Sequence, residues 1–193
     1  LAAELPEWDF DGVRRRTEER WNDLLGAVRI AGGSDAERTI FHSALYRCFL
    51  MPTFASDVDG RYRGADGAVN REAGFRYMTD FSLWDTYRTL HPLYALIAPT
   101  SARDSVESLH VMARAAGFFP QWPIATRDSG CMIGASAEVV VADAYVKGVA
   151  GLDSADAYAR LRAAALDPAA PPGGRGGRDR VEEYDALGYV PST

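Results

Sequence analysis

Cysteine, histidine and long apolar runs are scarce in this chain of 193 residues, which has two cysteines and three histidines. Cys48 and Cys131 lack the spacing of a metal-binding motif, and Cys48 lies in an apolar helical pattern that predicts a buried free thiol. No apolar stretch approaches the roughly 20 residues that a membrane-spanning helix needs. The sequence therefore predicts neither a cysteine-based metal site nor a membrane span.

Clusters of basic residues are also missing. The chain has 21 lysines and arginines against 27 aspartates and glutamates, and its formal net charge is −6. A protein that binds nucleic acid or an anionic membrane usually shows a concentrated basic surface, so we expect no nucleic-acid partner. Apolar residues are abundant instead: 47% of the residues are hydrophobic and 11% are aromatic, which is typical of a folded domain with a core.

Helical periodicity dominates the sequence, because apolar residues recur three and four positions apart in most segments. The predicted helices span residues 10–28, 34–52, 79–92, 101–117, 132–147, 154–166 and 180–187. One irregular β-hairpin is predicted from residues 61–63 and 75–77, around the turn residues Asp66 and Gly67. The predicted fold class is therefore all-α, and helices joined by short loops are typical of a bundle or a helical toroid.

The densest group of candidate site residues lies in TDFSLWDTYRTLHPL, residues 79–93. We expect a helix here that Thr79 caps and that Pro92 ends or kinks. Such a helix would place four side chains on one side: Phe81, Trp84, Asp85 and Arg88. The tryptophan could stack on the flat side of a sugar while the aspartate accepts hydrogen bonds from two hydroxyls. Alternatively, the aspartate and the arginine form a structural salt bridge beside a core tryptophan.

Several other features leave alternatives open. Trp122, in the rigid loop FFPQWP, is either a second stacking surface or a residue packed between prolines. Glu138 and Asp143 lie in a largely apolar helix, so each is either a buried carboxylate with a partner or a site group. The Pro/Gly-rich strap at residues 167–178 favours a linker over a phosphate-binding nest. Residues 57–60 resemble a calcium loop only faintly, because the closing glutamate of an EF-hand is missing.

Four strings in order carry a resemblance to a known family: FHSALYRCFLMPTFASDVDGRYRG, YMTDFSLWDTYRTLHPL, GCMIGASAEVVVADAYVKGV and YDALGYVP. Together they resemble glycoside hydrolase family 92, the calcium-dependent, inverting α-mannosidases. The resemblance runs from about Asp9 to the end of the chain. It is specific because four separate strings occur in the expected order.

The resemblance implies a protein larger than this chain. Family members have an N-terminal β-sandwich, a helical connector and an (α/α)6 barrel, so residues 1–33 would be the connector and residues 34–193 the first half of the barrel. The remaining half of the barrel and the β-sandwich domain would be partners of this chain. The general-acid glutamate, the general-base aspartate and most calcium ligands are expected downstream of Thr193, so we assign no catalytic or metal-binding residue here. The resemblance also implies a secreted, periplasmic or cell-surface protein of bacterial type.

The resemblance assigns the substrate-binding residues one by one. Trp84 and Asp85 match the family's WD pair, which lines the pocket for the mannose to be released, and Arg88 would favour the ionised form of Asp85. Weaker candidates are Met132 and Gly134 in GCMIG, together with Trp122. The expected activity is release of terminal α-linked mannose from glycans, of the exo-α-1,2-mannosidase type. The alternative is a non-catalytic helical fragment that binds carbohydrate or docks onto a partner.

Overall fold

The computed structural model describes residues 2–167, 178 and 180–192. The helices within these residues are α1 (Phe10–Leu25), α2 (Asp35–Cys48), α3 (Leu83–Thr86), α4 (Leu90–Ile97), α5 (Pro99–Ala116), α6 (Ser136–Val146), α7 (Ser154–Leu166) and α8 (Val181–Leu187). The short strands are β1 (Thr53–Phe54), β2 (Arg61–Arg63), β3 (Val69–Arg71), β4 (Met78–Thr79), β5 (Pro123–Ile124) and β6 (Arg127–Asp128). The described part of the chain is thus mainly helical, as predicted, and none of its helices is long and apolar enough to cross a membrane. The predicted strap lies largely outside the described residues.

The strands form separate two-stranded antiparallel ladders. β2 pairs with β3 and makes the predicted hairpin around Asp66 and Gly67. The predicted second arm, residues 75–77, is wrong: the arm is Val69–Arg71, because a tight hairpin pairs the residues closest to its turn. β1 pairs with β4 and β5 pairs with β6, two ladders that the sequence did not predict.

The core is built around α5, which buries one long side as its apolar spacing predicts. This side packs against α6 and against the residues of β4 and its flanks. The largest members of the cluster are Tyr62, Tyr77, Met78, Phe81, Leu83, Val106, Leu109, Met112, Phe119, Val140 and Val141. α5 therefore supports both β4, the strand that leads into the candidate site, and α6.

Local capping signals place several helix ends correctly. Ser34 and Glu37 form a capping box, in which Ser34 N donates to Glu37 Oε2 at 2.7 Å and Glu37 N donates to Ser34 Oγ at 3.3 Å. Gly117 ends α5 in the left-handed region with φ of 87°. The predicted start of that helix at Ser101 is wrong, because α5 begins at Pro99, whose missing N–H suits a first helical position.

The predicted continuous helix over residues 79–92 is also wrong. Thr79 belongs to β4, which pairs with β1, and helix resumes only as the single turn α3 and then as α4. Phe81 is 1% exposed whereas Trp84 is 37% exposed, so the two rings do not share a face. Pro92 neither ends nor kinks a helix, since it lies in the first turn of α4, where its nitrogen needs no helical hydrogen bond.

Hydrogen bonds to side chains of α5 hold β4 and the residues just before it in place. Met78 N donates to Ser108 Oγ at 2.8 Å, and Arg76 Nε donates to Asp104 Oδ2 at 2.9 Å. The Asp104 side chain is 3% exposed, so this ion pair is desolvated on the carboxylate side. Because β4 continues directly into the segment of Trp84 and Asp85, α5 determines where that segment lies.

At the other end of the fold, α1 packs on α2 through aromatic side chains. The ring centroids of Trp21 and Tyr46 are 4.5 Å apart. Cys48, the last residue of α2, is a free thiol that is partly buried, so its predicted burial is incomplete. Cys131 is free and exposed.

Candidate functional site

The connection from β4 to α3 and the β5–β6 hairpin are joined by hydrogen bonds. Thr79 Oγ1 donates to the carbonyl oxygen of Ala125 at 2.8 Å, and Ala125 N donates to Asp80 Oδ1 at 3.0 Å. Phe81 N donates to the carbonyl oxygen of Pro123 at 3.1 Å. The segment that carries Trp84 is thus anchored to the hairpin that follows Trp122.

Left-handed backbone is concentrated here. Among the described non-glycine residues, positive φ occurs at Asp80 (60°), Ala125 (53°), Met132 (73°) and Arg180 (60°). Three of these four belong to the two joined loops or to the segment before α6. Each such residue costs on the order of 1–3 kcal/mol and persists only when its surroundings hold it. Because strained residues of this kind cluster at ligand sites, the backbone supports the same location as the sequence patterns.

Trp84 and Gly134 are in contact. A Cβ atom at Gly134 would lie 3.2 Å from Cζ3 and 3.3 Å from Cε3 of the Trp84 ring. Gly134 has φ of 86°, and its carbonyl oxygen accepts a hydrogen bond from Gln121 Nε2 at 3.1 Å. The structure therefore brings two predicted site residues together, and it adds Gln121, which the sequence analysis did not select.

Asp85 and Arg88 do not form the predicted pair. Asp85 Oδ2 accepts a hydrogen bond from Ser82 Oγ at 2.7 Å. The guanidinium carbon of Arg88 instead lies 5.3 Å from the centroid of the Trp84 ring and 4.7 Å from that of Tyr87. The reason is that α3 is only one turn long, so the spacing of three residues no longer places these side chains on one helical face. Within the described part of the chain, Asp85 Oδ1 accepts no hydrogen bond.

Asp128 is the anchor of the hairpin loop. Its Oδ2 atom accepts hydrogen bonds from Gln121 N at 2.7 Å and Trp122 N at 2.9 Å, and its Oδ1 atom accepts one from Gly130 N at 2.8 Å. The signal available in the sequence was an aspartate two residues before a glycine, which is typical of an Asx turn. The backbone of Trp122 is held by this network, and the role of its ring as a stacking surface stays a prediction.

Glu138 and Asp143, the two carboxylates of the apolar helix, both have partners. Glu138 Oε2 lies 2.7 Å from Arg178 Nη2, and burial raises the pKa of the Glu138 carboxyl above its ordinary value while Arg178 opposes that shift. Asp143 Oδ2 lies 2.5 Å from Nζ of Lys147, the residue that follows the last residue of α6. These carboxylates are therefore satisfied side chains.

The part of the chain that the structure describes contains no group of three or more histidines, cysteines, aspartates or glutamates placed to hold a metal ion. In the faint calcium-loop string, Asp59 Oδ2 lies 2.7 Å from Arg61 Nε, and Asp59 Oδ1 accepts from Arg61 N at 3.1 Å. The Asp59 carboxylate, which a bound cation would need as a ligand, is therefore already paired with Arg61. The described residues do not fit a calcium site by themselves.

Comparison with known proteins gives a family match over the whole chain. The family model described as glycosyl hydrolase family 92 catalytic domain matches residues 1–193. A curated relative, an uncharacterized secreted glycosidase of the fungus Arthroderma benhamiae, is 26% identical over 195 aligned residues. The match covers 98% of this chain but 21% of that protein.

Solved structures agree with the family match. The family GH92 α-mannosidase BT3965 from Bacteroides thetaiotaomicron superposes with a TM-score of 0.86 at 32% identity, over 98% of this chain and 25% of that one. The family GH92 inverting mannosidase BT2199 from the same organism gives 0.85 at 32% identity, over 98% and 26%. The chain thus spans about a quarter of the length of the mannosidases that it resembles.

Proposed function

The chain belongs to glycosyl hydrolase family 92, and on this premise we propose that it is part of an α-mannosidase and forms one wall of its sugar pocket. The observation that carries the proposal is the group made by Trp84, Asp85 and Gly134. The ring is 37% exposed beside the glycine, and the carboxylate keeps one oxygen without a partner among the described residues. The similarity to solved α-mannosidases supports mannose as the sugar.

Each residue of this group has a physical role in the proposal. The Trp84 ring offers an apolar face to the C–H side of a sugar ring. Asp85 accepts hydrogen bonds from sugar hydroxyls, and the Ser82 hydroxyl, 2.7 Å away, orients its carboxylate. Arg88 lies over the Trp84 ring and restrains it. Gly134 leaves room for the ring where any side chain would crowd it.

Hydrolysis with inversion needs a carboxylic acid on one side of the glycosidic bond and a carboxylate that activates water on the other, about 6.5–9.5 Å apart. Two aspartates near the candidate site already have structural roles: Asp80 binds the backbone of Ala125, and Asp128 binds three backbone N–H groups. We propose that the acid and the base come from the longer protein, of which this chain would supply the binding wall.

We propose further that residues 34–193 form half of an (α/α)6 barrel, with residues 1–33 as the connector. An apolar groove of 350 Å³ between α6 and α7 supports a packed neighbour at this face. Tyr145 and Tyr158, which line the groove, are 63% and 66% exposed. The same groove favours the alternative, a non-catalytic helical fragment that docks onto a partner. The two are distinguished by whether the natural-length protein, the longer protein of which this chain is proposed to be a part, hydrolyses an α-mannoside.

The finer properties of the proposed enzyme follow from the family resemblance. They are preference for terminal α-1,2-linked mannose of glycans, dependence on calcium held by residues outside the described part of this chain, and location in the periplasm, at the cell surface or outside the cell. The secreted fungal relative supports the last of these.

The experiment that tests the proposal is Asp85→Ala in the natural-length protein. We expect kcat/KM for an aryl α-mannoside to fall by about 100-fold, because an acceptor of charge-assisted hydrogen bonds is worth roughly 1.5–3 kcal/mol. The melting temperature should stay unchanged, since Asp85 is exposed and bonds only to Ser82 among the described residues. The exposed Asp23→Ala on α1 is the control. Lower stability with full efficiency would contradict the assignment.

A further inference from the structure

The segment of residues 132–134, which passes beside the candidate site, has few contacts that hold it. Met132 and Gly134 both have left-handed backbone, with φ of 73° and 86°. Met132 and Ile133 are exposed, so the segment buries little apolar surface. Among the described residues, one hydrogen bond reaches these three residues: Gln121 Nε2 donates to the carbonyl oxygen of Gly134 at 3.1 Å. Because left-handed backbone persists only when its surroundings hold it, this bond bears directly on where the segment lies.

Gln121 is itself fixed through its backbone. Its N atom donates to Asp128 Oδ2 at 2.7 Å, and the N atom of Trp122 donates to the same oxygen at 2.9 Å. These bonds do not involve the Gln121 side chain. The side-chain amide is therefore offered to Gly134 from a point that the β5–β6 hairpin already holds, which limits the entropy lost when the bond forms.

The same hairpin is joined to the segment that carries Trp84. Phe81 N donates to the carbonyl oxygen of Pro123, two residues after Gln121, at 3.1 Å. On the other side, a Cβ atom at Gly134 would lie 3.2 Å from Trp84 Cζ3. The contacts thus form a closed circuit that runs from the Trp84 segment through the hairpin and the Gln121 amide to Gly134, and back to the Trp84 ring.

We propose that Gln121 is a positioning residue of the candidate site, whose side-chain amide holds residues 132–134 against the Trp84 ring. This inference rests on the proposed function, in which Trp84 and Asp85 form the wall that binds the sugar. Gln121 acts through Gly134: once that carbonyl oxygen is released, the segment can move away and the Trp84 ring gains freedom. A wall that is loose before the sugar arrives binds more weakly, because ordering it opposes association.

The location of the bond favours a local effect over a global one. Gln121 and Gly134 belong to two connecting segments, and the hydrogen bond between them is exposed. Exposed hydrogen bonds between loops open at little free-energy cost and contribute little to global stability. Loss of the Gln121 amide should therefore change the order of residues 132–134 and leave the melting temperature nearly unchanged.

The test compares two substitutions at position 121 of the natural-length protein. Gln121→Leu removes the donor and keeps the backbone bond to Asp128. Gln121→Lys keeps a side-chain donor that can reach the carbonyl oxygen of Gly134, so it serves as the rescue variant. Arg127→Leu, at an exposed residue of β6 in the same hairpin, is the control for a new leucine on this surface.

The first readout is hydrolysis of an aryl α-mannoside. We expect Gln121→Leu to raise KM about fivefold, the effect of one lost hydrogen bond, and to keep kcat within about twofold. The reason is that a binding wall contacts the substrate and the transition state alike, while the acid and the base would come from the rest of the longer protein. Gln121→Lys should restore most of the change in KM, and Arg127→Leu should cause none.

The second readout follows residues 132–134 without reference to hydrolysis. Thermolysin cuts before exposed apolar residues, so we expect it to cut before Ile133 several times faster in Gln121→Leu than in the unsubstituted protein or in Gln121→Lys. Unchanged cleavage in Gln121→Leu would overturn the inference whatever happens to KM, because the segment would not depend on the amide.

Faster cleavage with an unchanged KM would also overturn the inference, since the bond would then order the segment without any effect on the sugar. A fall in kcat at constant KM would overturn it as well. Faster cleavage of Gln121→Leu in a natural-length protein that hydrolyses no α-mannoside would uphold the hold of Gln121 on residues 132–134 and refute the proposed function instead.

Discussion

The ring of Trp84 and the α-carbon of Gly134 lie so close that a Cβ atom at position 134 would stand 3.2 Å from Trp84 Cζ3. The glycine also has φ of 86°, a conformation that L-residues with a side chain rarely adopt. Position 134 is therefore restricted twice, by its backbone and by the ring. This contact joins two segments that are distant in sequence, and it restricts the orientation of the Trp84 ring.

Gly134→Ala should lower both stability and efficiency. The left-handed backbone alone costs about 1 kcal/mol for alanine, and the added methyl group displaces the Trp84 ring. Gly67→Ala is the matched control, because Gly67 has φ of 79° with nothing within 4 Å of the added atom. Melting temperatures and kcat/KM are compared in the natural-length protein. We expect similar thermal losses in both variants and lower efficiency in Gly134→Ala alone; equal efficiencies would refute a role for the contact in binding.

Ser108→Ala should destabilise the strand that enters the site. Ser108 is fully buried and accepts the hydrogen bond of Met78 N, so its removal leaves a buried N–H unpaired at a cost of about 1–3 kcal/mol. Ser105→Ala is the control on the same helix: Ser105 is equally buried, but its hydroxyl donates to the carbonyl oxygen of Ser101 within α5. Ser105 reaches β4 only through the weak acceptor Met78 Sδ, at 3.7 Å, and its loss leaves no backbone N–H of β4 unpaired. Chemical denaturation should show the larger loss for Ser108→Ala. The opposite order would mean that the bond to β4 contributes little.

Asp156→Asn should change how stability depends on pH. Asp156 Oδ2 accepts from Arg160 Nε at 2.8 Å and lies 2.6 Å from His110 Nε2, and these bonds lower the pKa of Asp156 from 3.8 to about 2. A lowered pKa in the folded state stabilises the fold above pH 3.8, and this contribution is lost as the pH falls through about 2.

The melting temperature of Asp156→Asn should therefore lie below that of the unsubstituted protein at neutral pH, and the difference should shrink as the pH falls from 3.8 towards 2. Asp23→Asn, at an exposed aspartate of α1, should show no such difference at any pH. His110 lies in α5 and Asp156 in α7, so their contact joins the two helices. A difference in melting temperature that does not change with pH would show that the charge of Asp156 does not stabilise this contact.

Removal of calcium tests the family-derived part of the proposal. Calcium prefers oxygen ligands in numbers that the described residues do not assemble, so a chelator should abolish α-mannosidase activity and leave these helices folded. Added calcium should restore activity, and magnesium, which demands smaller octahedral sites, should not. Hydrolysis that continues unchanged in excess chelator would count against calcium dependence.

Features set by neighbouring residues could be predicted from the sequence. The capping box of Ser34 and Glu37, the turn at Asp66 and Gly67 and the end of α5 at Gly117 all depend on groups within a few positions of each other. The family, too, was recognisable from short strings, and the match over residues 1–193 confirms it. The order of most helices follows from apolar spacing in the same way.

Features that depend on distant partners were decided by the tertiary structure. The pattern of residues 79–92 is compatible with a helix, but Thr79 pairs with Thr53 across a ladder and Phe81 turns into the core, so the helix is broken into α3 and α4. The same break separates Asp85 from Arg88. Trp84 meets Gly134 because α5 and its hydrogen bonds bring the two segments together, and the spacing of residues along the chain holds no information about that contact.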